Sequence, residues 1–256
     1  MQQKQQSTFK PKSSQDWDKK AVNISKRIYN SIYNNALFEK INFKDCKTLL
    51  DIGCGVGNIS LLAASKLQKV YSLDFSTVML EYLNLEAKKR KIINIKTFNL
   101  SWEDSWQNVP NSDIVIASRS MEVENMKKTL QKINSKANKR VYLTYKVGGS
   151  FLNDDILKYI GKKINKKPDY IYTVNILYQM GINASVDFIK SEGRNIQYTD
   201  KEHFIKSILW SIGNLTKEEE RLLKEYYEIH IKNNKQQNDY VCWALIYWDK
   251  KSAPCL

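Results

Sequence analysis

Three glycines and two carboxylates carry the clearest chemistry in this chain of 256 residues. The stretch Thr48-Leu49-Leu50-Asp51-Ile52-Gly53-Cys54-Gly55-Val56-Gly57-Asn58 runs an apolar strand straight into Gly53, Gly55 and Gly57, and Ile59, Leu61 and Leu62 begin a helix at once. Glycines at such a turn let the backbone approach a ligand, and the free amides of a helix start favour polar or anionic groups there. The dinucleotide fingerprint GxGxxG would need glycine at 58, where Asn58 stands, so a nicotinamide dinucleotide is disfavoured. Sixteen residues beyond Asn58, Asp74 closes the run Val70, Tyr71, Leu73. A carboxylate at the end of a second strand accepts both ribose hydroxyls of a nucleoside lying across the turn.

Together these residues resemble the class I S-adenosylmethionine-dependent methyltransferases, whose first motif reads (D/E)xGxGxG with an acidic residue closing the second strand. Asp51, Gly53, Gly55, Gly57 and Asp74 match it, and the resemblance covers roughly residues 45–150, extending more loosely to the helix before and the last strands after. It implies an α/β, Rossmann-like seven-stranded sheet with helices on both faces and a helical cap. It also implies S-adenosylmethionine as cofactor, S-adenosylhomocysteine as product, and methyl transfer by in-line displacement. Asp51 would hold the methionine amine directly or through water, the turn with Cys54 the amino-acid end, and Asp74, with Phe75 beside it, the ribose. After the third strand the family usually carries an acidic residue against the adenine amino group. This sequence departs there, with Ser101, Trp102 and Glu103. Ser101 can still hydrogen-bond, and Trp102 either covers the adenine face or is ordinary core. Asp104 and Trp106 gain no role from spacing.

The fourth strand runs into Ala117-Ser118-Arg119-Ser120-Met121-Glu122, near which this family places the transferred methyl. Ser118 is assigned to the cofactor. Arg119 is a candidate clamp for a substrate carboxylate and Glu122 a candidate to steer a nucleophile, against the alternatives of helix cap or surface group. The [DNSQ]-Pro-Pro-Tyr/Phe motif of many amino-group methyltransferases is absent, and no Pro-Cys follows this strand; Pro254-Cys255 is too near the end to be one. Alignment alone supplies much of such a reaction, so the lack of a catalytic dyad is no objection. His203 and His230 fall on cap helices, where packing is the plainer role.

Several elements must position these groups. Val22, Ile24, Ile28, Ile32, Tyr33 and Leu37 recur close to helical spacing and predict one amphipathic helix of about 20 residues starting near Trp17. Residues 1–15 are Gln, Lys, Ser and Pro with almost nothing apolar, and read as a disordered tail. Then strands over 48–51, 69–74, 93–98, 113–118 and 140–145 alternate with helix-length segments, the pattern of a parallel sheet. Ser76 caps the helix that runs to Arg90. The core thus spans residues 16–150. Residues 151–256 supply cap helices and the last two strands of the same sheet, with helices near 151–161 and 169–181 and strands over 184–189 and 240–248. Two further helices are marked by capping-box spacing, Thr199 with Glu202 and Thr216 with Glu219. Gly181 reads as a left-handed helix stop. Tyr170, Tyr172, Tyr178, Phe188, Trp210, Tyr226 and Tyr227 enrich this part in aromatics, either lining an acceptor pocket with Trp17 and Tyr29 or forming cap core.

Composition narrows the alternatives. Hydrophobic residues at 42% and charged residues at 27% suit a globular chain with a sizeable core. No run approaches the roughly 18 apolar residues of a membrane span, and the start has no apolar segment for a signal peptide, so a cytoplasmic protein is expected. Four cysteines without CxxC spacing and two histidines argue against a metal site or disulfide framework. The excess of 41 Lys and Arg over 27 Asp and Glu gives +14 and raises a nucleic-acid partner. It is nearly all Lys in an Asn- and Ile-rich chain, which favours a solvated surface; Lys162, Lys163, Lys166 and Lys167 mark where RNA would enter. The expected function is methyl transfer to a small molecule. The alternatives are a methyltransferase for RNA or another macromolecule, and a non-catalytic S-adenosylmethionine-binding module. Acceptor atom and oligomeric state are left open.

Overall fold

The computed structural model describes residues 12–26, 31–148, 154–162, 169–191, 198, 200–232 and 240–250. Its centre is a seven-stranded sheet in the order β3-β2-β1-β4-β5-β7-β6. The strands are β1 (Thr48–Ile52), β2 (Lys69–Asp74), β3 (Ile95–Asn99), β4 (Ser112–Ala117), β5 (Ala137–Lys146), β6 (Ser185–Ser191) and β7 (Val241–Asp249). β1 to β5 run parallel, and β7 lies antiparallel between β5 and β6. The order reverses at β1, whose neighbours β2 and β4 lead to opposite edges, so a crevice opens beyond the C-terminal ends of β1 and β4.

Alternation along the strands covers both faces. On β4, Ile114 and Ile116 meet Tyr33 and Leu37 of α2 (Ile32–Lys40) and Ile59 and Ala63 of α3 (Asn58–Ala63). Val115 and Ala117 turn the other way, towards Leu130 and Ile133 of α5 (Met126–Lys136) and Leu177 of α7 (Tyr170–Gln179). Successive strand side chains point to opposite faces, so one short apolar run serves two layers. α4 (Thr77–Lys89) starts at Ser76, whose hydroxyl accepts the Met79 amide, and ends at Arg90; it sets Leu80 and Leu83 against Cys54.

The amino-terminal segment forms two helices rather than one. α1 (Ser14–Ser25) opens with a Ser13–Asp16 capping box, inside the stretch read as tail, and packs Trp17, Ala21 and Ile24 on Val56 and Met79. Ser31, in extended conformation, accepts the Asn34 amide and begins α2 afresh. Apolar spacing continued across this break while the two helices bury their faces in different places. Residues 27–30, with Ile28 and Tyr29, lie outside the described residues, as do 1–11.

The cap consists of α6 (Asp154–Tyr159), α8 (Lys201–Ile212) and α9 (Lys217–Tyr226), which continues through a wider turn to Ile231. Ile156, Phe204, Ile208, Leu223, Tyr226 and Tyr227 give it a small core of its own. Trp210 of α8 meets Trp17 of α1 edge to face at 6.0 Å, with Lys20 Nζ 4.4 Å from the Trp210 ring. Two expectations change here. Asp200, not Thr199, caps α8 by accepting the His203 amide at 2.7 Å; Thr199 is outside the described residues. Tyr170, Tyr172 and Tyr178 ride on α7, in the layer against the sheet, and Phe188 on edge strand β6, so of the seven aromatics expected there only Trp210, Tyr226 and Tyr227 lie in the cap. Thr216 and Glu219 do form a capping box, and Gly181 has φ +75 after α7.

Candidate active site

The glycine turn sits at the mouth of the crevice. Gly53, Gly55 and Gly57 have φ of +67, +54 and +88, a region that costs other residues about 1–2 kcal/mol. Two of the three are also sterically closed. A Cβ on Gly53 would lie 2.3 Å from Ser120 Cβ, and one on Gly57 would lie 2.6 Å from Leu83 Cγ. Gly55 is different, since a Cβ there would meet nothing nearer than Met79 Sδ at 4.0 Å, so its open face is free for a ligand.

Both carboxylates stand beside this turn. Asp74 Oδ2 accepts the Gly55 amide at 2.8 Å and Oδ1 the Ser76 amide at 2.9 Å, so Asp74 is fixed while each oxygen keeps lone-pair capacity. Its burial pushes the carboxyl above its ordinary range. Asp51 is 2% exposed and takes the Ser60 hydroxyl at 2.6 Å; Ser72 in turn donates to Ser60 at 2.8 Å. Burial, reinforced by the nearby negative Asp74, pushes Asp51 up to about 6. Asn58 Oδ1, at the first residue of α3, is buried without a hydrogen-bond partner. An open glycine, an unpaired carbonyl and two buried carboxylates that gain from a cation or hydroxyl donors fit a cofactor with an ammonium and a ribose.

Cys54 is buried, and burial raises its thiol well above the usual range, so it packs rather than reacts. Phe75 is partly exposed next to Asp74. Ser101 is spent on its own turn: its Oγ accepts the Glu103 and Asp104 amides at 3.2 and 3.3 Å, and Asp104 accepts the Ser101 amide at 2.7 Å. Asp104, to which spacing gave no role, therefore shapes this loop. Trp102 donates its indole N–H to Ser120 O at 3.1 Å and leans on Trp106 at 5.3 Å, which places it at the rim of the crevice. Glu103 is exposed.

Beyond β4, Ser118 turns its hydroxyl to Tyr33, 2.8 Å away, and Ser120 donates to Ile52 O at 2.8 Å. Arg119 is exposed with φ +57, and Glu122 is exposed one residue past buried Met121. Tyr145 donates to Met121 O at 3.0 Å, and burial pushes its phenol up to about 12, which makes it an anchor and not a base at neutral pH. His203 and His230 sit among cap rings: His203 6.0 Å from Tyr198, His230 4.6 Å from Tyr226. Lys162 is held by Glu219 at 3.1 Å and by Asn214 O, joining α6 to α9; Lys163, Lys166 and Lys167 lie outside the described residues. Ser60 and Ser120 are not singled out in the sequence, and Asn58 reads there only as a departure from the dinucleotide motif, because nothing in local spacing distinguishes a serine or asparagine that faces the turn from one that merely faces solvent.

A depression of about 340 Å³ at the other edge of the sheet is lined by Lys40, Asn42, Arg140, Tyr142 and Asp187 among others. Its charges are already matched, Lys40 with Asp187 at 2.5 Å and Arg140 with Asp249 at 3.4 Å, so the glycine edge is the better site. Among the described residues there is no group of three metal-ligating side chains, and no helix is long and apolar enough to cross a membrane.

Comparison with known proteins bears on the family and the fold. A family profile described as "Methyltransferase domain" matches residues 43–250. An uncharacterized protein of Haemophilus influenzae is 36% identical over 236 residues, covering 91% of this chain and 88% of its own length. Among solved structures, a SAM-dependent methyltransferase from Aquifex aeolicus superposes with a TM-score of 0.55 at 14% identity, covering 91% of this chain and 97% of that one. The magnesium protoporphyrin IX methyltransferase of Synechocystis PCC 6803, solved with bound S-adenosylhomocysteine, gives 0.52 at 14% identity, covering 94% and 89%.

Proposed function

The chain belongs to the methyltransferase-domain family and is an S-adenosylmethionine-dependent enzyme, and we propose that its acceptor is a small molecule held above the ends of β1, β4 and β5. The observation that carries this reading is the junction at Gly55, whose amide is tied to Asp74 while its outer face stays open.

When bound, the cofactor supplies a methyl group on a sulfonium, which is a good leaving group. Gly53, Gly55 and Gly57 bring the backbone close to its amino-acid end, and Asp51 takes its ammonium. Asp74 accepts the ribose hydroxyls, with Phe75 alongside; Ser101, Trp102 and Glu103 border the adenine side. Ser118 borders the cofactor, and Arg119 and Glu122 border the acceptor side. Holding the acceptor in line is worth up to roughly 7–11 kcal/mol, so this chain's part is alignment and exclusion of water. An acceptor already deprotonated at working pH needs no base. The cap and α1 bracket the crevice through Trp17 and Trp210, an arrangement that suits an acceptor small enough to be enclosed. A long polymer would instead call for an open basic track, and Lys162 is committed to Glu219.

Incubating the protein with S-adenosylmethionine labelled in the methyl group and a whole-cell extract, then separating low-mass, RNA and protein fractions, tests the reading. Label in the low-mass fraction is expected. Label confined to RNA would replace it with the macromolecular alternative, and no transfer to any fraction would favour a binding module.

A further inference from the structure

Among the described residues next to the glycine edge, Arg119 combines a strained backbone with a charged head that makes no hydrogen bond or ion pair. Its φ of +57 places a non-glycine residue in the left-handed region, a cost that persists where surrounding structure enforces it. Enforcement is visible here: its amide donates to Thr144 Oγ1 at 2.9 Å, and Thr144 Oγ1 lies 2.6 Å from the Tyr33 hydroxyl, which also meets Ser118 Oγ at 2.8 Å. The side chain then lies on an aromatic shelf. Its Cζ is 4.3 Å from the Tyr33 ring centroid and 5.9 Å from that of Trp243, and the two rings meet at 5.4 Å. Among the described residues the guanidinium makes no hydrogen bond or ion pair. Stacking on ring faces leaves the N–H edge of a guanidinium free in its own plane, and that fork matches the oxygens of a carboxylate or phosphate. The next residue, Ser120, bonds Ile52 O and abuts Gly53, so the shelf borders the cofactor turn directly.

Resting on the methyl-transfer reading, we propose that Arg119 binds an oxyanion of the acceptor, a carboxylate or a phosphate, and that Tyr33 and Trp243 hold the guanidinium ready for it. The enzyme thereby selects acidic acceptors over neutral ones of the same shape. Thr144 and Ser118 act through Tyr33 and the Arg119 backbone and are positioning residues.

The test uses the full chain with S-adenosylhomocysteine present, titrated with benzoate, phenyl phosphate and uncharged benzamide, and followed by calorimetry and tryptophan fluorescence. At least one acid should bind about ten- to hundredfold more tightly than benzamide, the scale of a charge-assisted bidentate contact. Arg119→Gln should abolish that preference while leaving affinity for S-adenosylhomocysteine unchanged. Arg119→Gly, which relieves the positive φ, should behave the same way with an unchanged or higher Tm, so loss of folding cannot account for the result. Wild-type protein that does not distinguish the acids from the amide, including one that binds none of the three, overturns the proposal, as does a preference that survives both substitutions. The homocysteine titration separates the layers. If S-adenosylhomocysteine itself fails to bind, the methyl-transfer reading falls, and the Arg119 assignment with it.

Discussion

Ser60 donates its hydroxyl to Asp51 Oδ2 at 2.6 Å, so the helix that leaves the glycine turn holds the carboxylate of the strand that enters it. The Ser60 hydroxyl and backbone amide favour an ion that burial disfavours, and burial dominates, since Asp51 sits at about 6 against an ordinary value of 3.8. Its carboxyl is therefore stable as the acid up to about pH 6 in the free protein, and ionises above that.

Cofactor binding should report this ionisation. An ammonium placed against Asp51 favours the charged form, and an α-amino group stays protonated to about pH 7.7, so between pH 5 and 7 the carboxylate is the group that changes. Affinity for S-adenosylhomocysteine should fall as pH drops below about 6, approaching tenfold per pH unit, and calorimetry in matched buffers measures it. Asp51→Asn should bind weakly at every pH with a flat profile.

The same raised value has the opposite consequence for stability. A carboxyl whose folded value exceeds its unfolded one stabilises the fold below pH 3.8 and loses that contribution as pH rises through about 6. At neutral pH the buried charge costs on the order of 3 kcal/mol. Asp51→Asn, which still accepts from Ser60, should raise the Tm of the free protein above pH 7, and a lowered Tm would show that Asp51 is a structural anchor instead.

Gly55 and Gly57 should respond differently to alanine. At Gly57 the left-handed backbone and the collision with buried Leu83 together should cost about 2–4 kcal/mol, seen as a fall in the denaturation midpoint. Gly55→Ala meets open space and should cost about 1 kcal/mol, yet its methyl occupies the approach to the turn. Loss of cofactor binding with near-normal stability is expected at Gly55, and loss of stability at Gly57.

α1 touches both sides of the crevice, through Ala21 on Val56 and Met79, and through Trp17 on Trp210. Asp18 also accepts the Ser76 hydroxyl at 2.5 Å, beside Asp74. Deleting residues 1–11 should leave S-adenosylhomocysteine affinity and melting unchanged. Deleting residues 1–26 should weaken that affinity at least tenfold while the protein still melts cooperatively; equal affinity in both truncations would make α1 a surface element.

Local signals made the strands and the turn legible. Asp51, the three glycines and Asp74 were readable because strand, turn and second strand are close in sequence, and their chemistry depends on that order. The division between α1 and α2 was not, since Val22 to Leu37 keep helical spacing across Ser31 and only tertiary contacts reveal that the two faces part. The shelf of Tyr33, Arg119 and Trp243 draws on three distant segments. No window along the chain contains it, so Arg119 stood as an isolated candidate until the fold supplied its rings.

Titration of S-adenosylhomocysteine into the wild-type protein and into Asp74→Ala most directly tests the assignment of the cofactor to the Gly55–Asp74 junction. The wild type should bind one equivalent. Asp74→Ala, shown to be folded by melting, should bind about 2–3 kcal/mol more weakly, the scale of lost charge-assisted hydrogen bonds. Unchanged affinity in the folded variant would contradict the account, because a ribose bound elsewhere would leave the conjunction of glycine turn and second-strand carboxylate without the role assigned to it.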